Sequence, residues 1–237
     1  LYTRYGFNQA LKELDGGAAS PSAAPTEKEP GIARGNGFVA PAAPVSQEGI
    51  DPALSAPGEY QAVLAEAQLQ EWIARLQAAD EFAFDTETDA LDPMRANLVG
   101  ISLCVEPGKA CYIPLGHDYP GAPAQLPRDT VLDALRPLLA DPAKRKLGQH
   151  GKYDLHVLRR HGIDVQGYAD DTMLESFVLN AGIARHDMDS LAQRHLGYET
   201  IKYADVAGKG AKAIPFSQEA VDDATRYAAE DADITLR

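Results

Sequence analysis

The sequence predicts an α/β fold, a mixed β-sheet flanked by helices, built from roughly residues 59–237. Three observations carry that expectation. The segment FAFDTET alternates apolar and polar residues with the period of two that a half-buried strand requires. Two more β-branched, apolar segments, LVGISLCV and KACYIPL, follow it and are broken only by Pro107-Gly108, so the three strands read as an antiparallel meander. Beyond residue 128, short apolar runs alternate with segments of 3–4 spacing, the pattern of strands separated by helices.

In chain order, residues 1–15 read as an amphipathic helix end, with Leu1, Tyr5, Leu11 and Leu14 on one side. Residues 16–58 turn abruptly to Ala, Pro, Gly and Ser. Such a stretch buries too little apolar area to offset its chain entropy, so a flexible, semi-extended linker is expected. EYQAVL suits a short strand. AEAQLQEWIARLQAAD reads as a helix with Leu69, Trp72, Ile73 and Leu76 on one stripe. The meander comes next, with Phe82 and Phe84 on one face of its first strand and Asp85 and Glu87 at its end. RDTVLDALRPLLA is a helix, KRKLGQ a short strand, and KYDLHVLRRHG a helix stopped by Gly162. DTMLESFVLNAG and DSLAQRHLG are two further helices, the second capped by Asp189 or Ser190. SQEAVDDATRYAAEDADITLR is helical throughout, with Ser217 as N-cap. There is no initiator Met, and Arg237 falls within a helical pattern, so both ends read as those of a fragment.

Composition narrows the class. The chain is 45% apolar yet holds no uncharged apolar run of about 18 residues, and the N-terminus has no apolar h-region, so neither a membrane span nor a secretory signal is expected. Cys104 and Cys111 sit in neighbouring strands. A hairpin disulfide is sterically conceivable, but two reduced, buried thiols suit a chain with no export signal. No CxxC or Cys/His spacing indicates zinc. A net charge of −13 argues against tight autonomous binding to nucleic acid, although cations held at one site would reverse the local sign.

The chemistry lies in carboxylates from three separated segments: Asp85 and Glu87 in FDTET, Asp154 in GQHGKYD, and Asp231 in RYAAEDAD. Converging carboxylates repel one another unless a cation lies between them. Asp85 and Glu87 share a strand face by the period of two. Tyr227 precedes Asp231 by four residues and so shares its helix face. A hydroxyl beside a metal-holding carboxylate can aim a water. Each acid also has an ordinary explanation: a solvated turn for Asp85 and Glu87, a first-turn helix acid for Asp154, and a solvated acidic face shared with Glu230 and Asp233 for Asp231. Tyr227 could be core. Their joint occurrence in this order is what points to a divalent-metal hydrolase.

FDTET, GQHGKYD and RYAAEDAD resemble the three exonuclease motifs of the DEDD superfamily, in its tyrosine-bearing branch. With FAFDTETDALD, NLVGISL, DTMLESFVLNAG, RHDMDSLA and VAGKG, the likeness extends over residues 59–237 to the proofreading 3′→5′ exonuclease domain of bacterial family A DNA polymerase I. LYTRYGFNQAL is similar to the end of the 5′ nuclease domain that precedes it, and a polymerase domain would follow Arg237. The resemblance implies a DnaQ-like (ribonuclease H-like) fold and catalysis by Asp85, Glu87, Asp154, Tyr227 and Asp231. The four carboxylates would hold two divalent cations, Mg²⁺ or Mn²⁺. Asp85 would bridge both, Glu87 and Asp231 would serve the first, and Asp154 the second, mostly through water. Tyr227 and Glu87 would orient the attacking water, releasing nucleoside 5′-monophosphates.

By the same resemblance, Thr88, Leu91, Gln149, His150, Arg185 and Tyr203 would touch the strand, Leu91 as an apolar wedge and Tyr203 as a stacking surface. On sequence alone Leu91 could equally be a buried turn leucine. His150 stands where the family commonly has Asn, and Gly151 is also unusual. The implied partners are single-stranded or frayed 3′ ends of DNA and the parent chain's polymerase and 5′ nuclease domains, in a monomeric, cytoplasmic, nucleoid-associated bacterial enzyme. The rival readings are an RNA-trimming exonuclease of the ribonuclease D type and a non-catalytic scaffold.

Overall fold

The computed structural model describes residues 51–182, 185–210 and 213–237 of the 237-residue chain. The amphipathic segment 1–15 and most of the expected linker lie outside the described residues. After a single 3-10 turn at Pro52–Ser55 come β1 (Glu59–Ala62), α1 (Glu66–Ala78), β2 (Glu81–Thr88), β3 (Leu98–Glu106) and β4 (Lys109–Pro114). Then follow α2 (Arg128–Leu139), β5 (Arg145–Gly148), α3 (Lys152–Arg160), β6 (Tyr168–Asp171), α4 (Thr172–Leu179), α5 (Met188–Leu191), α6 (Tyr203–Val206) and α7 (Val221–Leu236).

The sheet order is β1-β4-β3-β2-β5-β6. β2, β3 and β4 form the expected antiparallel meander, while β1 joins β4, and β5 and β6 extend from β2, all in parallel. The sheet is mixed, as the sequence predicts. On one face Phe82 and Phe84 of β2 pack with Trp72 and Leu76 of α1, Leu135 of α2 and Val157 of α3. On the other, α7 lays Ala224, Ala228, Ala229 and Ala232 against Ala83, Val99, Cys104 and Tyr112. Small side chains let this helix ride close to the strands. That closeness brings Tyr227 and Asp231, on the same helix, to the end of β2.

A buried ion pair fixes the far end of α7. Arg237 meets Asp233 at 2.6 Å, and Asp233 also accepts from the Gly108 amide at 2.7 Å and the Tyr60 hydroxyl at 2.8 Å. The two cysteines are free and buried. Leu103 lies opposite Cys111, and Cys104 opposite Ala110, so the thiols project from opposite faces of the hairpin. A disulfide across it is geometrically ruled out. Burial pushes the Cys104 thiol up to about 12, leaving it protonated and inert.

Two expectations about helix caps need correction, and one strand was not read from the sequence. α7 begins at Val221 with Ala220 as its N-cap, because Phe216–Gln218 closes a separate 3-10 turn; Ser217 caps nothing there. The cap of α5 is Asp187, which accepts from the Ser190 amide at 3.1 Å, whereas Asp189 turns to the Thr200 hydroxyl and Lys202. The short edge strand β6 was hidden in polar sequence. Among the described residues, no helix is long and apolar enough to cross a membrane.

Candidate active site

β2 presents Asp85 and Glu87 on the α7 face, two residues apart, and α7 supplies Asp231 from above. An oxygen from each of the three lies within 4.8 Å of the others. Among the described residues, no cationic side chain lies among the groups that shift their titration. Burial, followed by the charges of Asp154, Glu87 and Asp231, pushes Asp85 well above the usual carboxylate range. Burial and the same neighbours do so for Glu87. Asp231 is raised by burial and by Glu230, and lowered by the Tyr227 hydroxyl that reaches it. Three oxygen donors crowded at uncompensated cost are suited to a hard divalent cation, which takes oxygen ligands.

Asp154 stands slightly apart. In the first turn of α3, buried, it accepts from the Thr86 amide at 3.0 Å and closely from the Thr86 hydroxyl. Burial nevertheless lifts it to about 7 against those two bonds. Thr86, between the two β2 carboxylates in sequence but on the opposite strand face, therefore pins the fourth one. The turn before α3 is braced by Asp171, which accepts from the His150 and Gly151 amides at 3.1 and 2.9 Å and from the Tyr168 hydroxyl at 3.0 Å. This explains the unusual His150-Gly151 pair. His150 takes a left-handed φ of 57°, and a Cβ on Gly151 would lie 2.1 Å from the Tyr168 oxygen. Asp171 is a supporting residue that the sequence did not reveal, although it is also the N-cap of α4.

The solvated acidic face that would be the ordinary explanation for Asp231 is absent: Glu230 and Asp233 beside it are buried and bonded, and Glu230 accepts from the Tyr198 hydroxyl at 2.7 Å and the Ile201 amide at 2.6 Å.

The carboxylates open into a cleft of about 320 Å³, lined also by Thr88, Leu91, Tyr153, Tyr203, Pro215, Phe216 and Tyr227. Leu91 is 97% exposed, so it is no core residue. Tyr203 is half exposed. The Thr88 hydroxyl meets that of Tyr153 at 2.5 Å. The other three expected contacts do not line this cleft. Gln149 commits its amide to Thr172 and, at 3.1 Å, to the His186 carbonyl. His150 is exposed, and Arg185 pairs with Asp187 at 2.7 Å. Tyr153 and Phe216 are cleft residues the sequence reading missed. Tyr153 sits beside Asp154, but nothing local marks Phe216.

The acidic cluster has a direct consequence for stability. Unfolded carboxylates titrate near pH 4. These groups hold their protons to higher pH when folded, Asp154 to about 7. Their contribution to stability is complete below about pH 4 and is lost as pH rises through the folded values. The stability of the chelator-treated protein should therefore fall between about pH 5 and pH 8, by about 1.4 kcal/mol per pH unit for each extra proton retained, and its melting temperature should fall with it. Saturating Mg²⁺ should reverse the trend. A melting temperature that rises with pH in chelator would contradict the convergence of these acids.

A family model described as 3′-5′ exonuclease matches residues 60–237. DNA polymerase I of Pseudomonas aeruginosa is 52% identical over 181 residues, covering 76% of this chain and 20% of that protein. DNA polymerase I of Rhizobium leguminosarum is 44% identical over 186 residues, covering 71% of this chain and 18% of that protein. The chain thus spans about a fifth of the length of these curated relatives. Among solved structures, the Trypanosoma brucei RNase D complex with RNA U12 gives a TM-score of 0.60 at 18% identity, over 78% of this chain and 62% of that one. At such low identity the likeness concerns the fold, which is the ribonuclease H-like one.

Proposed function

The chain belongs to the 3′-5′ exonuclease family, and from that membership we propose that it hydrolyses the terminal phosphodiester of DNA as the proofreading part of a DNA polymerase I. The observation that supports this most is the convergence of Asp85, Glu87 and Asp231, with the Tyr227 hydroxyl on Asp231, in a cleft that also displays Leu91 and Tyr203.

In this reading Asp85, Glu87 and Asp231 hold divalent cations, Mg²⁺ or Mn²⁺, and Asp154, held back by Thr86, completes the set. Two such ions supply charge neutralisation at the attacking and leaving oxygens of an in-line displacement. The rest falls to the side chains. Glu87 and Tyr227 hold the attacking water, whose oxygen bonds to the terminal phosphorus and whose proton goes to solvent. The bond from phosphorus to the 3′ oxygen of the preceding nucleotide breaks. That 3′ oxygen takes a proton from solvent, so a nucleoside 5′-monophosphate leaves and the shortened strand ends in a new 3′ hydroxyl. Tyr203 offers its ring to a base, and Leu91 its apolar tip beside one.

The same reading assigns residues 1–15 to the end of a 5′ nuclease domain, residues 16–58 to a linker, and places the enzyme in the bacterial cytoplasm at the nucleoid as a monomer. The exposed apolar side chains of α4, Leu174, Phe177, Val178 and Leu179, accord with cover from other domains of a longer parent chain.

A wedge and a stacking ring suit unpaired bases. Primers with a mismatched 3′ end should therefore be trimmed at least tenfold faster than matched ones, since each pair that must open costs about 1.4 kcal/mol. Single-turnover assays on labelled oligonucleotides with Mg²⁺ measure this. Equal rates, or faster trimming of RNA than DNA, would instead assign a ribonuclease.

A further inference from the structure

We propose that Phe216 is a positioning residue for this hydrolysis: one buried ring sets the attitude of both Tyr227 and Tyr203, and so couples base stacking to the aim of the water. The inference rests on the functional reading above and deepens it. Phe216 is 1% exposed. Tyr203 lies nearly parallel to it, 6.3 Å between centroids at 16°, and Tyr227 is tilted on it at 6.0 Å and 56°. The two tyrosines also meet edge to face at 5.9 Å. The three rings form a closed triangle in which only Phe216 has no polar group and no solvent face.

Phe216 is itself held from behind. Tyr112 meets it edge-on at 6.5 Å, and His117 is tilted on it at 5.9 Å and 51°. The His117 Nδ1 donates to the Glu219 carbonyl at 3.0 Å, so its Nε2 accepts from the Tyr112 hydroxyl at 2.9 Å. Tyr112 in turn lies over Gly100, where a Cβ would stand 2.2 Å from its ring, and Gly100 pairs with Glu87 across the sheet. The ring is thus fixed on β4 and β3, and β3 pairs with the carboxylate-bearing β2 at Glu87. Aromatic pairs hold preferred mutual attitudes beyond what area burial alone requires. A base settling on Tyr203 would press, through Phe216, on the ring whose hydroxyl meets Asp231.

The test substitutes Phe216→Leu, which keeps an apolar filling and removes the flat face. With a single-stranded oligonucleotide and Mg²⁺, kcat should fall about tenfold and KM rise several-fold, the scale expected when a reacting group is slightly misplaced. Mn²⁺ affinity should stay within a factor of two of wild type. Adding Phe216→Leu to Tyr227→Phe should cost little further rate, because the aim is already lost. With Ca²⁺ in place of Mg²⁺, quenching of a 3′-terminal 2-aminopurine should weaken in Phe216→Leu, a readout that needs no cleavage. If Phe216→Leu does not fold, Phe216→Met conserves volume without a flat face and carries the same expectations. Wild-type kcat, KM and quenching in a folded variant, or rate losses that simply multiply in the double variant, would overturn the inference. A wild-type protein that quenches 2-aminopurine, less so in Phe216→Leu, but cuts no DNA would overturn the functional reading and leave standing only the support that Phe216 gives to the Tyr203 stacking surface.

Discussion

Asp85→Asn should abolish cleavage while making the metal-free protein more stable. Asp85 is the carboxylate most surrounded by others: Asp154, Glu87 and Asp231 all raise it, after burial itself. Replacing it with an amide of the same shape removes one member of a repulsive set, so folding in chelator loses a cost and gains a few degrees in melting temperature. The same change takes away one of the three clustered carboxylates that would hold the cations. Charge stabilisation of that kind is worth several kcal/mol in a phosphoryl displacement, and about 4 kcal/mol corresponds to about 10³ in rate. Opposite signs for stability and activity are the signature. An Asn that is destabilising in chelator would mean that Asp85 is a structural acid, and retention of more than a tenth of the wild-type rate would remove it from the mechanism.

What could be read from the sequence follows from distance along the chain. Phe82 and Phe84 against Asp85 and Glu87 were legible because a strand repeats every two residues, and the structure keeps the apolar pair in one core and the acids on the α7 face. Tyr227 and Asp231 were legible because four residues make one helical turn. The meander was legible from Pro107-Gly108 between apolar runs. Contacts made across the fold left no local trace. Thr86 pinning Asp154 spans 68 residues, and Asp171 bracing His150 spans 21. Phe216 is a lone aromatic in the segment AIPFSQEAV with no periodic pattern, and its meaning comes from rings at 112, 117, 203 and 227. Gln149, which the family resemblance gives to the strand, has its amide bonded to Thr172 and His186 here, contacts that no neighbouring residue in the sequence indicates. The ordinary explanation of Asp231 as part of a solvated acidic face fails because Glu230 and Asp233 beside it are buried against Tyr198, Tyr60 and Arg237, partners that the run of acids does not show.

Tyr227→Phe should separate the aiming of water from the holding of metal. The ring packs against Phe216 and Tyr203, and phenylalanine keeps those contacts. What disappears is the hydroxyl, which burial and the charges of Asp231, Glu87 and Asp85 keep firmly protonated, so it acts as a donor and never as a base. A donor that orients a reactant belongs at the low end of the roughly 10²–10⁴-fold span for positioned proton-transfer groups. The rate should therefore drop by about 10², less than in Asp85→Asn. Losing the donor also frees Asp231 from the one contact that lowers it, so this carboxylate should hold its proton to slightly higher pH. Mn²⁺ affinity should then remain near wild type at about pH 8 and weaken modestly toward about pH 6, where a protonated carboxylate competes with the ion. Calorimetric Mn²⁺ titrations at both pH values, beside single-turnover cleavage, distinguish the two functions. Cleavage at the wild-type rate would make Tyr227 a packing residue only, and loss of Mn²⁺ binding at both pH values would make its hydroxyl part of the metal site itself.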